Sequence, residues 1–274
     1  MTTWRTNALG SIRVFRAAAE AKVPALVYAS SVGAYSPGPK HPPVDESWPT
    51  DSLPTAAYGR EKAYVERVLD SFVWEHPAVR VVRLRPGFIF KRQSATEQRR
   101  LFAGPLLPGR LVRPGLVPVV PDLPGLTFQA LHTTDAADAY RLAALGEVSG
   151  PFNIAAAPVI DGGRLAELLG ARRVPIPAAG ARAAMAAAWH LRLVPAAPAL
   201  LDLVLGLPVM DTTRAETVLG WKPRATALDA VTDFLDGLRS GAGMDTPPLD
   251  PDPPGRRLRE LATGVGGKAT TSIP

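Results

Sequence analysis

The sequence predicts an α/β chain, an incomplete, doubly wound parallel sheet with a smaller C-terminal substrate lobe. Three observations carry this. Helix-period and strand-like segments alternate along the first third, a strand and a helix recur together near residue 130, and helical patterns dominate from Asp161 to Arg239. Helix, strand, loop, helix, strand is the order of a parallel sheet with crossover helices.

Each element has its own signal. Leu9, Ile12, Phe15 and Ala19 recur at helical spacing. "VPALVYAS" (Val23 to Ser30) and the β-branched run "VRVVRLRP" (Val79 to Pro86) read as strands, and "TAAYGREKAYVE" opens a helix between them. From Lys91 to Leu126, proline, glycine and arginine mark a loop-rich insertion. "FQALHTTDAADAYRLAA" is a short strand followed by an alanine-rich helix with Thr134 or Asp135 as its N-cap, and "GPFNIAA" is one more strand. The most apolar stretch, from Ala183, is broken by His190, Arg192, Pro195, Pro198 and Asp202, short of the roughly 20 uninterrupted residues of a membrane span. It reads as packed core helices. Beyond Arg239, proline and glycine dominate and a disordered tail is expected. The expected organisation is a core of residues 1–90 and 127–157, a substrate lobe of 91–126 and 158–240, and a tail of 241–274.

Apolar residues make up 46% of the 274 and charged residues 20%, a globular balance. The absence of cysteine excludes disulfides, thiolate zinc sites and a cysteine nucleophile. His41, His76, His132 and His190 lack ligand spacing, so no metal is expected. The net charge of +6 is spread along the chain, without the clustered stripe and reader motif of a nucleic-acid binder. The N-terminus, with Arg5, Arg13 and Arg16, reads as an amphipathic helix and not an export signal. A cytoplasmic protein with a small-molecule substrate is expected, without a nucleic-acid or membrane partner. Near the C-terminus "TGVGGKATT" misses the phosphate-loop pattern, because Ala262 replaces its first glycine and Ala269 follows Lys268.

Tyr58 and Lys62 stand four residues apart on one helix face. At about 100° per residue, Lys62 lies about 40° from Tyr58, and Val65, Leu69, Phe72 and Val73 lie within about 60°. The pair therefore belongs to the core-facing stripe, whereas a solvated surface pair would sit on the polar face, although a lysine can also snorkel from a helix end. An ammonium near a phenol stabilises the phenolate and lowers the tyrosine pKa, so such a tyrosine can exchange a proton with a substrate hydroxyl or carbonyl. Ser30 and Ser31 end the apolar strand "VPALVYAS", where ligands bind in open α/β sheets, although a lone serine there more often caps the next turn.

Ser30-Ser31, then Tyr58-x-x-x-Lys62, then "RLRPGFIF" at the next strand end, resembles the extended short-chain dehydrogenase/reductase family, the NAD-dependent epimerase/dehydratase group. "NALGSIRVFRAAAEAKVPALVYASS", "VDESWPT", "LHTTDAADAYRLA", "FNIAA" and "DTTRAETVLGWKPR" extend the likeness from about Asn7 to Arg239. The resemblance implies a Rossmann sheet binding NAD or NADP, and hydride transfer at a sugar-like or alcohol carbon. It makes Tyr58 the acid/base, Lys62 the ribose ligand that lowers the tyrosine pKa, and Ser31 the hydrogen-bond partner of the reacting oxygen, with Ser30 as the alternative one position earlier. Arg85, Pro86 and Gly87 would line the nicotinamide side through backbone contacts. Homodimerisation through the Tyr58 helix is also implied.

Two features depart from the family. Phe90-Lys91 stands where many relatives read tyrosine-glycine, so a nucleotide-sugar substrate does not follow from the resemblance, and the lobe arginines (Arg99, Arg100, Arg110, Arg113) lie in no motif that assigns one. No glycine-rich pyrophosphate turn precedes the serine strand. An N-terminally truncated form is therefore expected, binding dinucleotide poorly and aggregating through an exposed strand edge. A non-catalytic binding or regulatory fragment on the same scaffold is the alternative.

Overall fold

In a computed structural model of the protein, which describes residues 3–104, 107–246 and 249–251, the strands are β1 (Ala25–Ala29), β2 (Arg80–Pro86), β3 (Phe88–Phe90), β4 (Val119–Asp122), β5 (Thr127–His132), β6 (Gly150–Ile154), β7 (Ala156–Asp161) and β8 (Arg172–Pro175). The helices are α1 (Gly10–Glu20), α2 (Ala57–Glu75), α3 (Ala95–Gln98), α4 (Thr133–Leu145), α5 (Gly162–Leu169), α6 (Ala178–His190), α7 (Pro198–Gly206), α8 (Thr213–Thr217) and α9 (Ala227–Ser240). A π-helical turn, Arg5–Leu9, leads into α1.

β1, β2 and β6 form a parallel sheet in that order, with Leu26 opposite Val81 and Pro86 opposite Ile154. Because side chains alternate along a strand, β2 feeds two cores. Val81, with Val79 just before the strand, packs with Phe15 of α1 and with Val65, Leu69 and Phe72 of α2. Val82 and Leu84 face the other way, into the cluster that holds Ala136 and Ala139 of α4 and Val231 and Leu235 of α9. Helices thus cover both faces, the arrangement a parallel sheet requires to keep its apolar strands dry. Among the described residues β1 pairs with β2 alone, and it is an edge strand.

Beyond Pro86 the chain turns out of this sheet. Gly87 donates its N–H to Ile154 O (2.9 Å), and a Cβ there would lie 2.5 Å from Gln129 O, so only glycine fits the crossing. β3 then pairs in parallel with β5, and β5 is antiparallel to β7. β4 pairs with β8, which joins the proline-rich segment to the helical C-terminal part. The fully buried Trp221 donates its indole N–H to Asp135 O (2.8 Å) and locks that part onto α4.

Two sequence expectations change here. The N-cap of α4 is His132 and not Thr134 or Asp135: its Nδ1 accepts the Thr134 N–H (3.3 Å), while Asp135 turns inward to accept the Ala225 N–H (3.0 Å). The apolar stretch from Ala183 is core only in its later part, where Ala196, Leu203, Leu207, Val209 and Met210 are buried. No residue of α6 is buried and only Leu203 of α7 is, because α6 is mostly alanine, with little surface to bury. The two helices pack on one another and are pinned by Arg182 on Asp202 (2.9 Å). Of the tail expected over 241–274, residues 247–248 and 252–274 lie outside the described residues. Gly241 ends α9 in a left-handed cap, and Met244 N–H reaches Leu249 O (2.7 Å).

Candidate active site

The carboxyl end of β1 and the first turns of α2 build the site. After Ala29 the two serines part. Ser30 turns down to donate to Glu66 Oε1 (2.6 Å), while Ser31 caps a short 3-10 turn, its Oγ accepting the Gly33 N–H (3.0 Å). That turn is what α2 starts on. Ser52 Oγ donates to Gly33 O (2.8 Å), and a Cβ on Gly59 would fall 1.9 Å from Ser52 Oγ and 2.7 Å from Gly33 O. Glycine at 59 lets the helix sit down on the turn, and this contact brings Tyr58 beside Ser31. A Cβ placed on Gly33 would lie 3.4 Å from both the Ser31 Oγ and the Tyr58 ring.

Tyr58 is 48% exposed, and Lys62 is half-buried one turn further in. The core-facing stripe holds for Val65, Leu69 and Phe72, but the first turn of α2 overhangs it, which leaves the phenol open at its edge. Lys62 Nζ donates to Ala29 O (2.6 Å) and lies 5.1 Å from the Tyr28 ring centroid and 5.8 Å from that of Tyr58. Partial burial pushes the Tyr58 pKa up, the Ser31 hydroxyl opposes this, and Glu61 adds to it, so the net direction is upward. Burial lowers the Lys62 pKa, against the opposing charges of Glu61 and Glu66, and the net direction is downward. The ammonium turns to a backbone carbonyl, and the phenol is a neutral acid at pH 7.

Beneath the pair lies a network that the sequence reading missed. Glu66, with no exposed surface, accepts from Ser30, from Arg83 Nη1 (3.1 Å) and from Arg85 Nε and Nη2 (2.9 and 3.0 Å). Arg85 Nη1 also reaches the Tyr35 hydroxyl and Glu46 O (both 2.9 Å), and Tyr35 donates to Asn153 Oδ1 (2.6 Å). Burial alone would raise the Glu66 pKa. The hydrogen bonds and charge of Arg85, with Ser30 and Arg83, reverse this and bring it down to about 2. A signal for Glu66 was present, since it stands four residues after Lys62 beside the apolar stripe, where an unpaired carboxylate would not be buried.

The other sequence candidates scatter. Arg85 is buried, with its guanidinium committed to Glu66 and Tyr35, and Pro86 ends β2 with Gly87 directly after it. Arg99 is buried and donates to Gly104 O (2.9 Å), whereas Arg110 and Arg113 are exposed. Phe90 packs on Phe234 (ring centroids 4.9 Å apart). A cavity of about 240 Å³ on α4, lined by Asp138, Arg141 and Arg224 among others, does not include Tyr58, Lys62 or Ser31. No cluster of three or more potential metal ligands, and no helix long and apolar enough to cross a membrane, occurs among the described residues.

A serine at a parallel strand end, facing a Tyr-x-x-x-Lys helix, is the arrangement against which known proteins can be compared. Residues 1–104 match the model of the NAD dependent epimerase/dehydratase family. Uncharacterized proteins of Mycobacterium tuberculosis and Mycobacterium bovis are 27% identical over 267 residues, covering 89% of this chain, which spans 61% of their length. Among solved structures, the UDP-glucose 4-epimerase of Thermus thermophilus in complex with NAD is similar with a TM-score of 0.59 at 20% identity, over 86% of this chain and 70% of that one. The dTDP-glucose 4,6-dehydratase of Bacillus anthracis, in complex with NAD, is similar at 0.55 and 12% identity, over 85% and 67%. At these identities the structures establish the shared Rossmann-type fold.

Proposed function

We propose that the chain is an NAD-dependent oxidoreductase of the epimerase/dehydratase type, acting by hydride transfer on a sugar-like or other alcohol or carbonyl small molecule. The observation that carries this reading is the convergence of Ser31, Tyr58 and Lys62 at the carboxyl end of β1, inside the segment that matches the family. A cytoplasmic enzyme is part of the same reading, as is a homodimer through α1 and α2, whose surfaces expose Val14 (61%), Val73 (39%) and Trp74 (87%). Equilibrium sedimentation at the mass of one chain would remove the dimer.

The donor set suits the nicotinamide–ribose end of the cofactor. Lys62 uses one of its three N–H donors on Ala29 O, which leaves two for ribose hydroxyls. Ser31 Oγ accepts from Gly33 and keeps its own O–H to donate to a substrate oxygen. NAD, when bound, supplies the hydride acceptor. Tyr58, neutral at pH 7, is ready to hand a proton to a carbonyl oxygen, and in the reverse direction its phenolate takes one from a hydroxyl. Ser30, Arg85, Pro86 and Gly87 close the floor of the site on the cofactor side. The described residues contain no glycine-rich turn joining a strand to α1, so no residue here is assigned to the pyrophosphate.

The test is turnover. The chain is incubated with NAD and with UDP-glucose, UDP-glucuronic acid or dTDP-glucose, the sugar nucleotides that similar structures carry or act on, and products are read by NMR. Conversion of one of these, or of a simpler sugar or alcohol with NADH formation, is expected. No conversion of any, with no NADH binding up to millimolar concentration, would sink the reading.

A further inference from the structure

The turn that carries Ser31 continues into an apolar wall, part of which is left uncovered. Val32, directly after Ser31, packs in one cluster with Leu203 and Leu207 of α7, and Leu53, Phe88 and Leu200 lie half-buried against it. The same turn touches the phenol, since a Cβ on Gly33 would lie 3.4 Å from the Tyr58 ring. Phe88 stands just past the carboxyl end of β2 and extends the wall. Its ring stacks with Phe90 (centroids 6.4 Å apart) and meets Phe128 edge-on (5.3 Å), and no residue of β3 is buried. Half-exposed aromatic and leucine side chains set side by side leave apolar area in water, which a ligand of the same character removes.

The charges around this wall are already engaged. α7 carries one charged residue, Asp202, which pairs with Arg182 of α6. Lys40 turns its ammonium to Leu207 O, where α7 stops, and to Thr127 O (3.2 Å), where β5 begins. Arg85 is held by Glu66 and Tyr35. A diphosphate gives up its water only for charge-assisted hydrogen bonds, and the side chains of the wall offer none. We propose that Leu53, Phe88, Phe128 and Leu200 form the substrate wall of this site, and that the substrate is an apolar secondary alcohol or its ketone and not a sugar nucleotide. The reacting C–O stands at Ser31 and Tyr58, and the apolar body lies on the wall. Oxidation breaks the carbinol C–H, whose hydride passes to NAD, and the O–H, whose proton passes to the Tyr58 phenolate, and a ketone remains. Continuity with the Ser31 turn assigns the wall to the substrate and not to a second copy of the chain.

The inference rests on the reading of Ser31, Tyr58 and Lys62 as an alcohol site, but its test is binding and needs no turnover. The full chain is titrated with 2-butanol, 2-hexanol and 2-octanol by calorimetry, with UDP-glucose alongside. Affinity is expected to rise about fourfold per methylene, and UDP-glucose to bind more weakly than 2-octanol. Leu200→Gln, a helix-compatible change at a half-exposed position, should weaken 2-octanol about tenfold. Leu191→Gln, at a residue 69% exposed and off the wall, should leave it unchanged. An affinity that does not depend on chain length, equal losses in the two variants, or tighter binding of UDP-glucose would overturn the proposal. So would binding that weakens as the chain concentration rises, which would give the wall to a second copy. An alcohol that binds in the expected way without forming NADH counts against the hydride-transfer reading alone.

Discussion

Replacing Glu66 with glutamine removes one charge from the most tightly bound carboxylate in the structure. Four donated hydrogen bonds, from Ser30, Arg83 and twice from Arg85, end on a group with no exposed surface. Its pKa is about 2 in the folded chain and about 4.3 unfolded. A carboxylate depressed in this way stabilises the fold fully above the unfolded value and loses that contribution as the pH falls toward the folded one. The difference corresponds to about 3 kcal/mol at pH 7, and breaking a buried ion pair by removing one partner costs about 3–5 kcal/mol. Urea unfolding of the wild type and of Glu66→Gln reads this directly. The stability gap should be about 3 kcal/mol at pH 7 and roughly half of that at pH 3, because the protonated glutamate comes to resemble the amide. A gap below about 1 kcal/mol at pH 7, or one that does not change between pH 7 and pH 3, would refute the assignment.

Further predictions follow from the same packing. In Gly59→Ala the new methyl meets the Gly33 carbonyl, which cannot yield as a flexible side chain would, so the fold should lose about 1–3 kcal/mol in urea unfolding. Unchanged stability would show that α2 does not rest on the Ser31 turn as described. Tyr35→Phe leaves Asn153 Oδ1 without its donor inside the network and should cost about 1–3 kcal/mol, with the Tyr58 phenolate titration unmoved. A shifted Tyr58 titration would mean that the network couples to the site more closely than its contacts indicate.

Much of this architecture was legible because it is local. The run Val79 to Pro86 carries its strand character in its own β-branched residues, and the turn from α2 to β2 to β6 follows the order of apolar segments. Tyr58 and Lys62 were found by periodicity, which assigns a face but not how far along a helix the packing extends, so the 48% exposure of Tyr58 was not foreseen. The Glu66 network was hidden for a different reason. Arg85, Tyr35 and Asn153 come from three separated segments, with Tyr35 and Asn153 118 positions apart in sequence, and a charged residue beside an apolar stripe reads as surface until its partners are placed. Helix α6 misled in the opposite direction. Alanine counts as apolar in a sequence pattern but offers so little area that the helix can lie exposed at small cost.

The most direct test of the site is the turnover of Tyr58→Phe against the wild type, on whichever substrate the wild type converts. The phenol is half exposed, so the substitution should leave the unfolding midpoint within about 0.5 kcal/mol while kcat falls by about 10² to 10⁴, the range that a positioned acid/base contributes. A variant that folds normally and keeps the wild-type rate would contradict the assignment of Tyr58 as the proton-transfer group.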